Sequence, residues 1–333
     1  MVDFTDEDEV QAGFEHFREN GFPYPVLTRY EIINIFRRLQ QTKAKINKAR
    51  PNLFNTKSRI ITTQSVGAAV LCNYFHPHIW ESHAVNMRSS IQSFGIDKSL
   101  QKVMKLCLTY DGKIAKKHVL LFLRTVNGTQ ICSNFRPQAA KAVYNYFKPR
   151  NVLDMSAGYG GRLLGFLASH CKGSYTGIDP SKKSCIGNRN IAKELGATKR
   201  VKIICSPFED VGVELPKVEL AFTSTPYFVK EVYEEGNPKQ SRERYPEYRD
   251  WLNGFLKPMM RKTRRALTSK GTMALNIANV VIKNKSYSLV NDTIRIAKRN
   301  GFTYTEKLEM GFSSFGKGNK KRKMEPVLIF KKK

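Results

Sequence analysis

The apolar positions of residues 131–333 alternate between two periods. A short apolar run at Val152 and Leu153, of the kind a strand buried on both faces supplies, ends at Asp154, and Ser174–Ile178, Val201–Ile204, Val218–Phe222 and Thr272–Ile277 read as further strands. Between them the apolar residues recur at helical spacing. Ser133–Phe147 carries Ala139, Ala142, Val143, Tyr146 and Phe147, with Ser133 and Asn134 as candidate caps. Leu163, Leu164, Phe166 and Leu167 supply the next helix. Ser181 opens another that runs to about Leu195, where Gly196 stops it. Trp251–Leu267 is a further helix, kinked or split by Pro258, and Tyr287–Lys298 is the last. Two closing runs, Phe302–Met310 and Glu325–Phe330, predict an antiparallel hairpin. The pattern specifies an α/β domain over residues 131–333: a mainly parallel sheet with helices on both faces and a terminal hairpin.

Residues 1–130 are less regular. Tyr30–Ala49 has helical spacing, with Ile32, Ile33, Ile35, Phe36 and Leu39 on one side and Arg37, Arg38, Lys43, Lys45 and Lys48 elsewhere. It reads as a surface helix or as one lying along a phosphate backbone. Residues 51–130 mix helical and strand signals with no repeat. The whole region is expected to be a mainly helical accessory extension, either a DNA-contacting part or a helical cap.

Charge changes this picture more than composition does. The chain of 333 residues carries 57 Lys and Arg against 28 Asp and Glu, a formal net charge of +29. Such an excess points to a polyanionic partner, above all nucleic acid. No apolar run approaches the roughly 18 residues of a membrane span. The start, MVDFTDEDEV, is acidic and lacks the basic-then-apolar pattern of a secretory signal, so an intracellular, cytoplasmic protein is expected. Six cysteines without a C-x-x-C pair fit reduced thiols in such a compartment. His76, His78 and His83 lie near Cys72 and Glu81 at no recognisable zinc spacing, and no metal is expected.

The chemistry-bearing residues fall at the ends of the predicted strands, the edge of an open α/β sheet where ligands bind. After Asp154 come Ala157, Gly158, Gly160 and Gly161, which let the backbone turn sharply and a helix N-terminus approach a ligand. The spacing meets neither the dinucleotide fingerprint nor a phosphate loop. Asp179 ends the second strand, 25 positions after Asp154, where a carboxylate can accept hydrogen bonds from both hydroxyls of a ribose. Ser206-Pro207-Phe208-Glu209-Asp210 follows the third strand, and Thr223-Ser224-Thr225-Pro226-Tyr227-Phe228 ends the fourth.

Asp154-x-x-x-Gly158-x-Gly160 resembles the first motif of class I S-adenosylmethionine-dependent methyltransferases. That resemblance implies a Rossmann-like class I methyltransferase fold. It makes Asp154, Ala157, Gly158 and Gly160 a loop around the methionine end of S-adenosyl-L-methionine, gives Asp179 the ribose, and brackets the adenine between Phe208 and Glu209 or Asp210. Residues 223–228 resemble the catalytic motif of DNA amino-methyltransferases, (Asp, Asn or Ser)-Pro-Pro-(Tyr, Phe or Trp). In that family the motif hydrogen-bonds the exocyclic amine of a flipped base, so that its lone pair can attack the methyl carbon. The resemblance gives Ser224 the side-chain acceptor, the Thr225 carbonyl the second acceptor, Pro226 the fixing of the backbone, and Tyr227 the stacking face. Thr225 departs from the usual proline. Phe135-Arg136-Pro137 sits where a segment of that family packs over the cofactor's methionine part.

Residues 230–250 form a polar loop in which Lys230, Arg242, Arg244 and Arg249 are candidate phosphate contacts. Lys317, Lys320, Lys321, Arg322 and Lys323 between the last two strands are others. The expected function is methyl transfer to adenine N6 or cytosine N4 of DNA, in a phage-like or host-defence setting. An RNA amino-methyltransferase, and a nucleic-acid-binding protein that keeps the fold without catalysis, are the alternatives. The base, the recognition sequence and the oligomeric state stay open.

Overall fold

Strands buried on both faces and helices of apolar periodicity do separate along residues 131–333 as the sequence predicts. The computed structural model describes residues 6–48, 59–311 and 324–333. Among them nine strands form the main sheet: β1 (Ala44–Lys48), β2 (Arg59–Thr63), β3 (Val152–Asp154), β4 (Tyr175–Asp179), β5 (Val201–Cys205), β6 (Val218–Ser224), β7 (Leu267–Asn276), β8 (Phe302–Gly311) and β9 (Met324–Lys332). Their order is β1-β2-β8-β9-β7-β6-β3-β4-β5. Strands β5, β4, β3, β6 and β7 run parallel, and β9 is antiparallel to both β7 and β8. The chain winds outward from β3 through β4 to β5, then returns to β6 on the other side. That reversal is the topological switch point of a Rossmann-like methyltransferase fold, with its terminal antiparallel hairpin. Val152, Leu153, Ile178, Leu220, Phe222 and Ala274 are fully buried, as strands covered on both faces require.

The chain divides into two units. Residues 27–76, 134–230 and 236–333 form the α/β unit, and residues 6–26, 77–133 and 231–235 form a helical one. This is not a cut at residue 130. Residues 27–76 join the sheet unit because β2 pairs with β8 and β1 with β2. In the helical unit, Asp97–Asp111 places Leu100, Val103, Met104 and Cys107 on one face, and these pack with Val10, Phe17, Val119 and Leu123. Gly112, left-handed at φ 62°, ends that helix.

Three local expectations are corrected. The helix expected over Tyr30–Ala49 spans Arg29–Gln41, opened by a Thr28–Glu31 capping box, and β1 follows. Its end is set from afar: the Lys141 ammonium donates to the Leu39 and Thr42 carbonyls at 3.0 and 2.9 Å. The helix expected from Ser133 starts at Pro137, with Arg136 in the capping position. Asn134 instead donates to the Tyr159 carbonyl at 3.3 Å. Third, the kink or split expected at Pro258 is a π-helical turn over Trp251–Leu256 that runs into the α-helix Lys257–Ala266. Pro258 lacks the amide that would bond one turn back, and the wider turn accommodates that loss.

Candidate active site

The C-terminal ends of β3, β4 and β6 hold Asp154, Ala157, Gly158, Gly160, Asp179 and Ser224–Tyr227. Asp154 is fully buried and saturated by protein groups. Its carboxylate accepts from the Arg162 guanidinium at 2.8 Å, the Tyr175 hydroxyl at 2.7 Å, the Thr223 hydroxyl at 2.8 Å and the Ser156 amide at 3.3 Å. It ties β3, β4, β6 and the glycine-loop helix together, so its structural work is to hold the loop in place. Arg162, Tyr175 and Thr223 were not legible as a unit, since only the fold brings them to one carboxylate.

The loop itself divides its labour. Ala157 is buried, with its amide on the Ile178 carbonyl at 2.8 Å, and Gly160 backs onto Ile191 and Asn188. Gly161 lies under Phe135; a Cβ there would stand 1.9 Å from the Phe135 carbonyl oxygen. Gly158, at φ +54°, faces open space: a Cβ would meet nothing closer than the Ser156 carbonyl at 3.8 Å. It is the position where a ligand can approach the backbone. The Gly158 amide donates to Asp179 at 2.8 Å and the Ser181 amide to its other oxygen at 3.0 Å. Burial pushes the Asp179 carboxyl up to about 6, with the two amide bonds opposing that shift. A carboxylate beside an open glycine turn at a strand end fits the ribose and methionine ends of S-adenosylmethionine.

The segment ahead of the loop lies across it. Phe135 meets Phe222 edge-to-face at 5.3 Å, under the Arg162 guanidinium, and Pro137 is buried at the helix start. Arg136 points the other way, donating to the Gly311 carbonyl at 2.9 Å, within the field of Glu325. Phe208 is buried. Glu209 and Asp210 both pair with Arg244 at 2.8 Å, so the guanidinium expected to meet phosphate is engaged with the carboxylates expected to meet adenine. Arg242 pairs with Glu243 at 3.5 Å, and the Lys230 amide closes a turn on the Tyr227 carbonyl at 3.2 Å. Lys230 and Arg242 are half-buried and Arg249 is exposed. Lys317, Lys320, Lys321, Arg322 and Lys323 lie outside the described residues.

At the end of β6, Thr225 is buried with its hydroxyl on the Pro226 carbonyl at 2.9 Å. Ser224 and Tyr227 are half-buried. Ser224 donates to Asn276 Oδ1 at 2.9 Å, and the Tyr227 hydroxyl reaches Glu325 at 2.6 Å and Asn276 at 3.2 Å. Asn276 and Glu325 were missed in the sequence; the only signal was a polar residue at the end of the β7 apolar run. Phe228 takes a left-handed φ of 59° that a phenylalanine rarely adopts. Its ring is locked among Tyr248, Trp251 and Tyr287 at 5.2–6.1 Å. Backbone strain of this kind, held by packing, marks the 224–228 turn as a built feature.

Among the described residues no group of His, Cys, Asp or Glu could hold a metal ion, and no helix is long and apolar enough to cross a membrane. All six cysteines are free. No protein-family model matches the chain, and no curated protein matches it. Solved structures give low-identity likenesses. TrmN from Thermus thermophilus is 15% identical over 59% of this chain and 48% of its own, at a TM-score of 0.40. An S-adenosylmethionine-dependent O-methyltransferase from Thermotoga maritima is 14% identical over 60% and 67%, also at 0.40. An O-methyltransferase of a Brevibacillus brevis multienzyme, in complex with S-adenosyl-L-homocysteine, is 12% identical over 52% and 54%, at 0.37. The chain thus spans about half the length of TrmN, and the strand order and pairings, not these likenesses, identify the fold.

Proposed function

We propose that the α/β unit transfers a methyl group from S-adenosylmethionine to the exocyclic amino group of a nucleic-acid base, with DNA as the first candidate polymer. The observation that carries this reading is the Ser224-Thr225-Pro226-Tyr227 turn at the end of β6, beside the switch point where the Gly158 turn stands next to the buried Asp179 carboxylate. The cofactor, when bound, supplies an electrophilic methyl group on a sulfonium. Gly158 and Asp179 would hold it. Ser224 and the Thr225 carbonyl accept the two amine protons and leave the nitrogen lone pair directed outward, while Tyr227 offers a ring face to the base. With the cofactor bound, the C–N bond would form as the C–S bond breaks, the C–S electron pair would return to sulfur, and the surplus amine proton would leave to solvent.

The partner reading rests on charge. Lys257, Arg261 and Arg265 are exposed and recur every four residues along one face of the helix Lys257–Ala266, a row suited to successive phosphates. Ser224→Ala tests the function. Methyl transfer to duplex DNA, single-stranded DNA or RNA should fall by at least about a hundredfold, as loss of a group acting in the transition state does. Polymer affinity should stay within about twofold. Undiminished transfer would overturn the assignment; transfer absent from the unaltered protein, with polymer still bound, would favour a binding protein.

A further inference from the structure

We infer that Asn276, at the end of β7, is a positioning residue that fixes the Ser224 hydroxyl as a pure acceptor and so restricts the site to targets that bring a hydrogen-bond donor, as an exocyclic amine does. The inference rests on the function proposed above and concerns a residue that function does not name. Asn276 is 2% exposed and directly opposite Ser224 in the β6–β7 register. Its Nδ2 donates to the Pro326 carbonyl at 3.0 Å. A carbonyl can only accept, so the amide cannot be turned over without setting two acceptors against each other. The oxygen of Asn276 therefore faces Ser224 and takes the single Ser224 proton at 2.9 Å.

A hydroxyl whose proton is claimed in this way offers only lone pairs to an incoming group. An amine meets it productively, whereas a carbonyl or an alkoxide meets like charge. Tyr227 is set by the same strand ends. It also has one proton, and the 2.6 Å bond to Glu325, on β9, is the shorter and charge-assisted one. Asn276 and Glu325 thus place the two side chains of the turn that face the target.

Two variants separate positioning from mere support. Asn276→Asp keeps an acceptor for the Ser224 proton but loses the donor to Pro326. Asn276→Ala loses both. Each is assayed with labelled S-adenosylmethionine on duplex DNA, single-stranded DNA and RNA, alone and combined with Ser224→Ala, beside calorimetric cofactor binding. The expected result is a fall in kcat of about tenfold to a hundredfold for Asn276→Ala, with a smaller loss for Asn276→Asp and cofactor affinity unmoved, because misorientation of a reacting group costs rate before binding. Asn276→Ala should cost nothing further in the Ser224→Ala background. A larger loss for Asn276→Asp than for Asn276→Ala, or additive losses with Ser224→Ala, would show that Asn276 only supports Pro326 and would overturn the inference alone. No transfer by the unaltered protein to any polymer would overturn the proposed function and this inference together.

Discussion

The two units of the chain differ most in charge. Residues 1–26, 77–133 and 231–235 carry nine Lys and Arg against thirteen Asp and Glu, a net of −4. The remaining residues carry 48 against 15, a net of +33, which with −4 gives the chain's +29. Their interiors differ as well. The helical unit buries a small apolar cluster around Leu100, Met104 and Cys107, whereas the α/β unit buries the Asp154–Arg162 ion pair under its strand ends. The unit with the candidate site is thus also the unit that carries the positive excess.

Asp154→Ala is expected to have the largest effect. It leaves the buried Arg162 guanidinium without its carboxylate, which costs about 3–5 kcal/mol. Denaturant unfolding of the full chain should show that loss in the transition of the α/β unit. A loss below about 1 kcal/mol would mean that the pair is solvated and the contrast between the two interiors is false.

The charge contrast is tested next. Replacing Lys257, Arg261 and Arg265 together by serine should weaken duplex binding roughly tenfold at moderate salt and flatten its salt dependence by about two to three counterions. Replacing Lys98, Lys105 and Lys117, equally exposed on the helical unit, should change neither by more than about twofold. Equal losses in the two sets would break the comparison.

Two smaller effects sharpen it at the site. In the proposed site ribose hydroxyls would donate to an ionised Asp179, and burial raises that carboxyl to about 6, so it protonates as pH falls through 6. Cofactor affinity, read by calorimetry, should be constant above pH 7 and weaken by about tenfold per unit below 6. Asp179→Asn should be weaker throughout and flat with pH. Gly158→Ala should cost only about 1–2 kcal/mol of stability, the strain of its positive φ, because the added methyl meets open space. That methyl stands where the cofactor would approach, so binding should suffer more than folding.

The parts of the fold that were legible are those written locally. Val218–Phe222 announces β6, Gly158 the turn after β3, and Ser181 the cap of the helix Lys182–Glu194, which accepts from the Ser184 amide at 3.3 Å. What was hidden is carried by distant partners. The end of the helix Arg29–Gln41 depends on Lys141, about a hundred residues on. Asn276 lies 52 positions from Ser224, and Glu325 lies 98 from Tyr227. Arg244 looked like a free phosphate contact until the fold set it beside Glu209 and Asp210. β1 and β2 escaped because Lys43–Lys48 alternates too briefly to outweigh the helical period before it.

The central claim is that the turn at the end of β6 presents acceptors to an exocyclic amine. The most direct test hydrolyses duplex DNA, single-stranded DNA and RNA after incubation with methyl-labelled S-adenosylmethionine and reads the nucleosides by mass spectrometry. The account predicts label on an exocyclic amine, adenine N6 or cytosine N4, with the unaltered protein and at least about a hundredfold less with Ser224→Ala. Label on a ring carbon or on a ribose oxygen, or on no nucleoside of any polymer, would contradict it.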